Sequence, residues 1–197
     1  MMARKNTKRK STFCLEGSWE NDFRKSESVR PLLEALGVNC SIPNIARDCA
    51  TRKEFEYRVS KWTQRRYDSY PILYLASQGS RFMVCLGAYD CGLDDLANLL
   101  ENKYEHRIIM FSSCKTMQGD KRIPKRFLQQ TGALAVCGYQ MEVDWMKSAA
   151  FELQLFSAMQ DSELSGRGIG AIARRADEVA KMFKELEFRM VTVEDLT

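Results

Sequence analysis

Cys114 closes the segment Arg107-Ile-Ile-Met-Phe-Ser-Ser-Cys114, just past an apolar run, where the carboxyl end of a buried strand would present a nucleophile. The chemistry of such a thiol is acyl transfer: the thiolate attacks a carbonyl, a base takes the thiol proton, and backbone amides receive the oxyanion. A second apolar run, residues 71–76, ends in Ser77-Gln78-Gly79-Ser80. A glycine there lets a tight turn carry an amide close to Cys114. A Cys-dependent site of this geometry carries its His before that glycine, and the residue is Gln78. A Gln amide hydrogen-bonds a thiol or a carbonyl but accepts no proton near neutral pH. The single His, His106, begins the strand that Cys114 ends, and at about 3.3 Å per residue the two lie roughly 26 Å apart, on opposite rims of a sheet. The structural alternative for Cys114 is a small residue filling a crowded turn, since free cysteines are often buried and inert.

Glu142 and Asp144 follow a third apolar run, 133–138, and could line a pocket for a basic side chain of a substrate. Asp144 also stands where a helix begins, so N-capping accounts for it without a ligand. The Gly-rich segment 166–170 lacks the Gly-Lys-Ser/Thr of a phosphate-binding loop and reads as a hinge. Seven cysteines, an odd number without a Cys-x-x-Cys pair or a second His, argue against a disulfide framework and against zinc. No cofactor or metal is expected.

The elements that must position these residues alternate. A strand is expected at 12–16, a helix at 28–37 closed by Gly37, an extended piece at 38–42, and a helix capped by Thr51 with Phe55, Val59 and Trp62 on one face. Strands follow at 71–76, 107–112 and 133–138, with a hairpin arm at 81–86 and helices at 92–100, 124–130, 144–159 and 171–187. Continuously apolar strands alternating with helices predict an α/β fold with a parallel sheet covered on both faces. Ligands gather at the carboxyl ends of such strands, which places Gln78, Cys114 and Gly138 on one rim.

The order of these pieces, Leu73-Tyr-Leu-Ala-Ser-Gln-Gly79, a hairpin ending Cys85-Leu-Gly87, Ile109-Met-Phe-Ser-Ser-Cys114 and Thr131-Gly-Ala-Leu-Ala-Val-Cys-Gly-Tyr139, resembles the caspase-like CHAT group of cysteine peptidases. Uncharacterised bacterial members with a Gly-Tyr…Val-Asp-Trp…Ser-Ala-Ala-Phe segment, here Gly138 to Phe151, are the nearest in kind, and the likeness spans residues 11–160. It implies a caspase-like three-layer sandwich with a mostly parallel central sheet flanked by helices. It further implies Cys114 as nucleophile, the amides of Gly79 and Cys114 as oxyanion donors, and position 78 as the base. The Gln-Ala-Cys-x-Gly caspase signature is absent, so the caspase substrate rule is not implied.

A composition of 45% apolar and 28% charged residues is that of a globular protein, and no apolar run reaches the roughly 18 residues of a membrane span. The expected location is the cytosol, with no membrane partner. The net charge of +4 is concentrated in residues 1–10, which hold Arg4, Lys5, Lys8, Arg9 and Lys10 and no acid, so the remainder is near neutral. Residues 1–10 are expected to form a disordered basic tail ahead of a single domain over 11–197. The resemblance, with Gln at position 78, implies a pseudo-peptidase or peptide-binding module with a degenerate Cys114/Gln78 site and a peptide or protein partner. One alternative is an active cysteine endopeptidase, cleaving after a basic residue, whose His has been replaced by Gln78. The other is an α/β module whose basic tail associates with nucleic acid.

Overall fold

The computed structural model describes residues 9–19, 24, 27–87, 89–101 and 106–196. Along the chain the regular elements are β1 (Thr12–Glu16), α1 (Arg30–Cys40), β2 (Asn44–Asp48), α2 (Arg52–Trp62), β3 (Ile72–Ala76), β4 (Gln78–Ser80), β5 (Met83–Cys85), β6 (Asp90–Gly92), α3 (Leu93–Leu99), β7 (Ile108–Ser112), α4 (Arg122–Thr131), β8 (Ala135–Tyr139), α5 (Trp145–Ala158), α6 (Gly166–Ala180) and β9 (Phe188–Thr192).

β1, β3, β7 and β8 are buried at every residue, in keeping with their mostly apolar sequences. They form the centre of a six-stranded sheet in the order β2-β1-β3-β7-β8-β9, parallel throughout except for β9, which runs antiparallel to β8. The period-two alternation of a strand sends successive side chains to opposite faces. Leu73 and Leu75 accordingly pack with Phe55 and Trp62 of α2, Leu96 of α3 and Phe127 of α4, while Ile72 and Tyr74 pack with Leu33 of α1, Phe151 and Leu155 of α5 and Ile172 of α6. This is the expected three-layer sandwich. A separate antiparallel sheet, β4-β5-β6, follows directly from the end of β3.

Thr51 caps α2 through a full capping box with Glu54. Four expected boundaries fail. Gly37 lies inside α1, and the helix ends instead at Ser41, whose left-handed backbone (φ 54) returns its N–H to Leu36. The strand after it is β2 at Asn44–Asp48, not 38–42; as a partly exposed edge strand of sequence Asn-Ile-Ala-Arg-Asp it has no apolar run to reveal it. The segment 166–170 is no hinge but the start of α6, with the Ser165 side chain accepting from the Gly168 amide. A Cβ on Gly168 would stand 2.0 Å from the Glu163 carbonyl oxygen, a backbone atom, so close packing explains this glycine. α6 stops at Ala180, short of the expected 187, and the sixth sheet strand, β9 at Phe188–Thr192, follows where no element is expected.

Of the expected basic tail, residues 1–8 lie outside the described residues, and Lys10 belongs to the fold. It is buried, its backbone N–H donates to Gln160 Oε1 (2.9 Å) and its ammonium to the Gln160 carbonyl (3.1 Å). Among the described residues no helix is long and apolar enough to cross a membrane.

Candidate functional site

The strand register brings the predicted rim residues level. Ala76 of β3 pairs with Ser112 of β7, so Gln78 and Cys114 each lie two residues beyond the paired ends of adjacent parallel strands. Gly79 closes the gap between them. A Cβ built on it would stand 2.7 Å from the Cys114 carbonyl oxygen, 2.7 Å from Ser113 Cβ and 2.8 Å from Thr116 Oγ1. No larger residue fits without moving the turn, which is the close approach that an X-Gly turn beside a Cys site needs.

The Cys114 turn is held from both sides. Thr116 Oγ1 lies 2.9 Å from Ser113 Oγ and donates to the Met83 carbonyl of β5 (3.2 Å). On the other side the Lys115 amide donates to the Met141 carbonyl (3.1 Å) and the Met117 amide to the Tyr139 carbonyl at the end of β8 (2.9 Å). Lys115 takes a left-handed conformation (φ 58), which turns the chain sharply just after the thiol. Cys114 itself is half-buried, on a side open to solvent.

Gln78 is exposed, and its side-chain amide donates to the Trp19 carbonyl (2.6 Å). That bond ties the segment after β1 to the rim. Trp19 in turn donates from Nε1 to Glu16 (3.0 Å) and meets the Trp145 ring edge-on at 5.0 Å. His106 is far from this arrangement. It sits two residues before β7, at the opposite end of the strand, with Nδ1 donating to the Leu164 carbonyl (2.8 Å).

The two acidic residues expected to meet a substrate have other partners. Asp144 caps α5, accepting from the Lys147 amide (2.9 Å), and Glu142 pairs with Lys115 (2.6 Å). That ion pair, with the hydrogen bond it makes, lowers the pKa of Glu142.

The acid that does stand beneath the rim is Glu152 of α5, which the sequence reading passed over. Its place between Phe151 and Leu155, on the buried stripe of an apolar helix, was the available signal. It is 1% exposed and accepts from the Tyr74 hydroxyl of β3 and the Tyr139 hydroxyl of β8 (2.8 Å). Burial pushes its pKa up, and hydrogen bonds from Tyr74, Ser112 and Tyr139 oppose that rise. Glu152 and Ser112 line a cavity of about 260 Å³ between α1 and α5, whose other walls include Leu32, Trp145, Met146 and Leu153. The Trp19–Trp145 contact therefore connects the residue that Gln78 holds to the wall of this cavity.

Residues 9–191 match a family described as a family of unknown function (DUF6642). The chain belongs to that family. No curated protein matches this DUF6642 chain. Among solved structures it is similar to the crystal structure of caspase-1 from Spodoptera frugiperda, at 10% identity and a TM-score of 0.55, over 95% of this chain and 88% of that one. At that identity the likeness establishes the fold, a caspase-like sandwich, and leaves the roles of individual residues to their chemistry here.

Proposed function

We propose that the DUF6642 chain is a peptide-binding pseudo-peptidase, with Gln78 and Cys114 forming a degenerate version of a CHAT-like cysteine site. One observation carries this reading: the side chain at position 78 is a Gln amide engaged with the Trp19 carbonyl, beside a turn that retains the Gly79–Cys114 close approach. The close Gly79–Cys114 turn suits a peptide carbonyl, and Gln78 stands where a base would take the thiol proton.

The adjoining cavity is where a side chain of the bound peptide enters. Its apolar walls suit a long aliphatic stem, and the buried Glu152 disfavours an acidic one. The test is fluorescence-polarisation titration of extended peptides that vary one side chain among Leu, Met, Lys and Asp, with the same mixtures followed by mass spectrometry for cleavage. Binding that ranks Leu or Met above Asp, weakens on Trp145→Ala and proceeds without cleavage supports the proposal. Cleavage that Cys114→Ala abolishes would replace it with the endopeptidase reading, and absence of any peptide binding would remove both.

A further inference from the structure

At the other end of the sheet, next to the open edge of β2, α2 and the helical turn Arg65–Tyr67 enclose a cavity of about 230 Å³. Four cations line it: Arg47 of β2, Arg58 and Lys61 of α2, and Arg66. Among the described residues no acidic side chain does. Among the described residues only Arg58 has a carboxylate within ion-pair range, Glu54 at 3.9 Å, a separation too long for a hydrogen bond. Arg58 Nε is buried and has no hydrogen-bond partner among the described residues.

Aromatic rings share this wall with the cations. Tyr57 is 60% exposed with the Lys61 ammonium 4.9 Å from its ring centre, and the Arg66 guanidinium lies 5.2 Å from that of Tyr67. Phe13 meets Tyr67 edge-on at 5.5 Å and closes the floor. Guanidinium groups match phosphate oxygens in pairs, and aromatic faces beside cations are what a planar base stacks against. At about 230 Å³ the cavity falls below the range of about 300–1,000 Å³ for drug-sized ligands, so it takes one ring and one phosphate, with the rest of the ligand outside the mouth.

We propose that this cavity binds a nucleoside phosphate, with the phosphate on Arg58 and Arg66 and the base against the exposed Tyr57. The site is separate from the Cys114 rim, so its failure would leave the peptide-site reading untouched. Free nucleotide and a single-stranded RNA share this chemistry, and the probes tell them apart. The full chain is titrated calorimetrically with AMP, adenosine, inorganic pyrophosphate and a short oligoadenylate. Adenosine and pyrophosphate should bind about tenfold or more weakly than AMP, each lacking one half of the recognised group. Arg58→Gln/Arg66→Gln should weaken AMP by a similar factor, with an unliganded thermal melt checking the fold. Tyr57→Ala, at an exposed position, should weaken AMP and leave pyrophosphate unchanged. Oligoadenylate binding far tighter than AMP, steeply salt-dependent and lost in the double variant, would assign the source to a nucleic-acid strand. No binding by AMP or the oligomer, equal binding of pyrophosphate and AMP, or full binding by the double variant would each overturn the proposal.

Discussion

Gly79 and Cys114 are pressed together so closely that a single added methyl on Gly79 would stand 2.7 Å from the Cys114 carbonyl oxygen. The small β4-β5-β6 sheet and the end of β7 thus share one packed contact. Two of its atoms belong to Thr116 and Met83, which hydrogen-bond across it. Gly79→Ala should cost about 1–3 kcal/mol, the range for forcing extra atoms into a packed site, read as a lowered midpoint in urea. It should also abolish peptide binding, because the Cys114 turn must shift to make room. A variant of unchanged stability would mean that the two turns are not in contact in solution.

Asp144 separates capping from ligand contact. Removing an N-cap side chain costs about 1 kcal/mol, so Asp144→Ala should lower stability by that amount, whereas Asp144→Ser, another good cap, should restore it. Peptide affinity should follow neither change. Selective loss of binding to peptides with Lys or Arg, rescued by Glu and not by Ser, would reinstate Asp144 as a substrate contact.

Glu152 gives a pH dependence with a definite sign. Its folded pKa lies above the ordinary value of 4.5, because burial penalises the carboxylate more than the tyrosine and serine hydroxyls repay. The native state therefore holds this proton more tightly than the unfolded chain does. The associated stability is fully present below pH 4.5 and is lost as pH rises through the folded pKa. Glu152→Gln keeps the shape without the charge, so the melting temperature of wild type minus that of the variant should fall over this interval and level off above it. Parallel curves would show that the buried carboxylate carries no penalty.

The core was legible because its strands are mostly apolar, and that signal survives without knowledge of the partners. β2 and β9 were not, since each lies at a sheet edge, partly exposed, where polar residues such as Asn44, Arg47 and Arg189 interrupt the pattern. The shape of the rim was legible through Cys114 and Gly79, since a glycine at a strand end permits the close approach found there. Glu152 was not singled out, because a lone acid in a helix reads as solvent-facing until the hydroxyls of Tyr74 and Tyr139, far away in sequence, are seen to converge on it. Likewise the Gln78–Trp19 bond joins residues 59 positions apart, and no local spacing announces it.

The seven thiols should divide sharply on alkylation. Burial pushes Cys49 up to about 12 and Cys91 to about 11, and Cys85 also rises to about 11, through partial burial and then its neighbour Asp90. Cys14 and Cys137 are raised as well, again by burial. A thiol with a pKa of about 11 is thiolate in only about one molecule in a thousand at pH 8, so these five should stay unmodified by iodoacetamide in the native protein. Half-buried Cys40 and Cys114 should label first, as peptide mapping would show. Early labelling of Cys49 or Cys137 would contradict the burial of both.

Gln78→His tests whether the base alone is absent. An imidazole at 78 can keep the bond to the Trp19 carbonyl with one nitrogen while the other faces the Cys114 turn, an arrangement a Gln amide cannot use for proton transfer. General-base assistance is commonly worth about 10² to 10⁴ in rate, so hydrolysis of an activated ester or of a preferred peptide should emerge above background, and Gln78→His/Cys114→Ala should remove it. Labelling of Cys114 near neutral pH should accelerate in the single variant, because a neighbouring imidazolium stabilises the thiolate. Faster labelling without hydrolysis would mean that the amides of Gly79 and Cys114 do not receive an oxyanion, and the rim would stand as a binding surface only. Unchanged labelling in a normally folded variant would show that the side chain at 78 does not reach Cys114. The resemblance to a cysteine peptidase would then extend to the fold and stop short of the site.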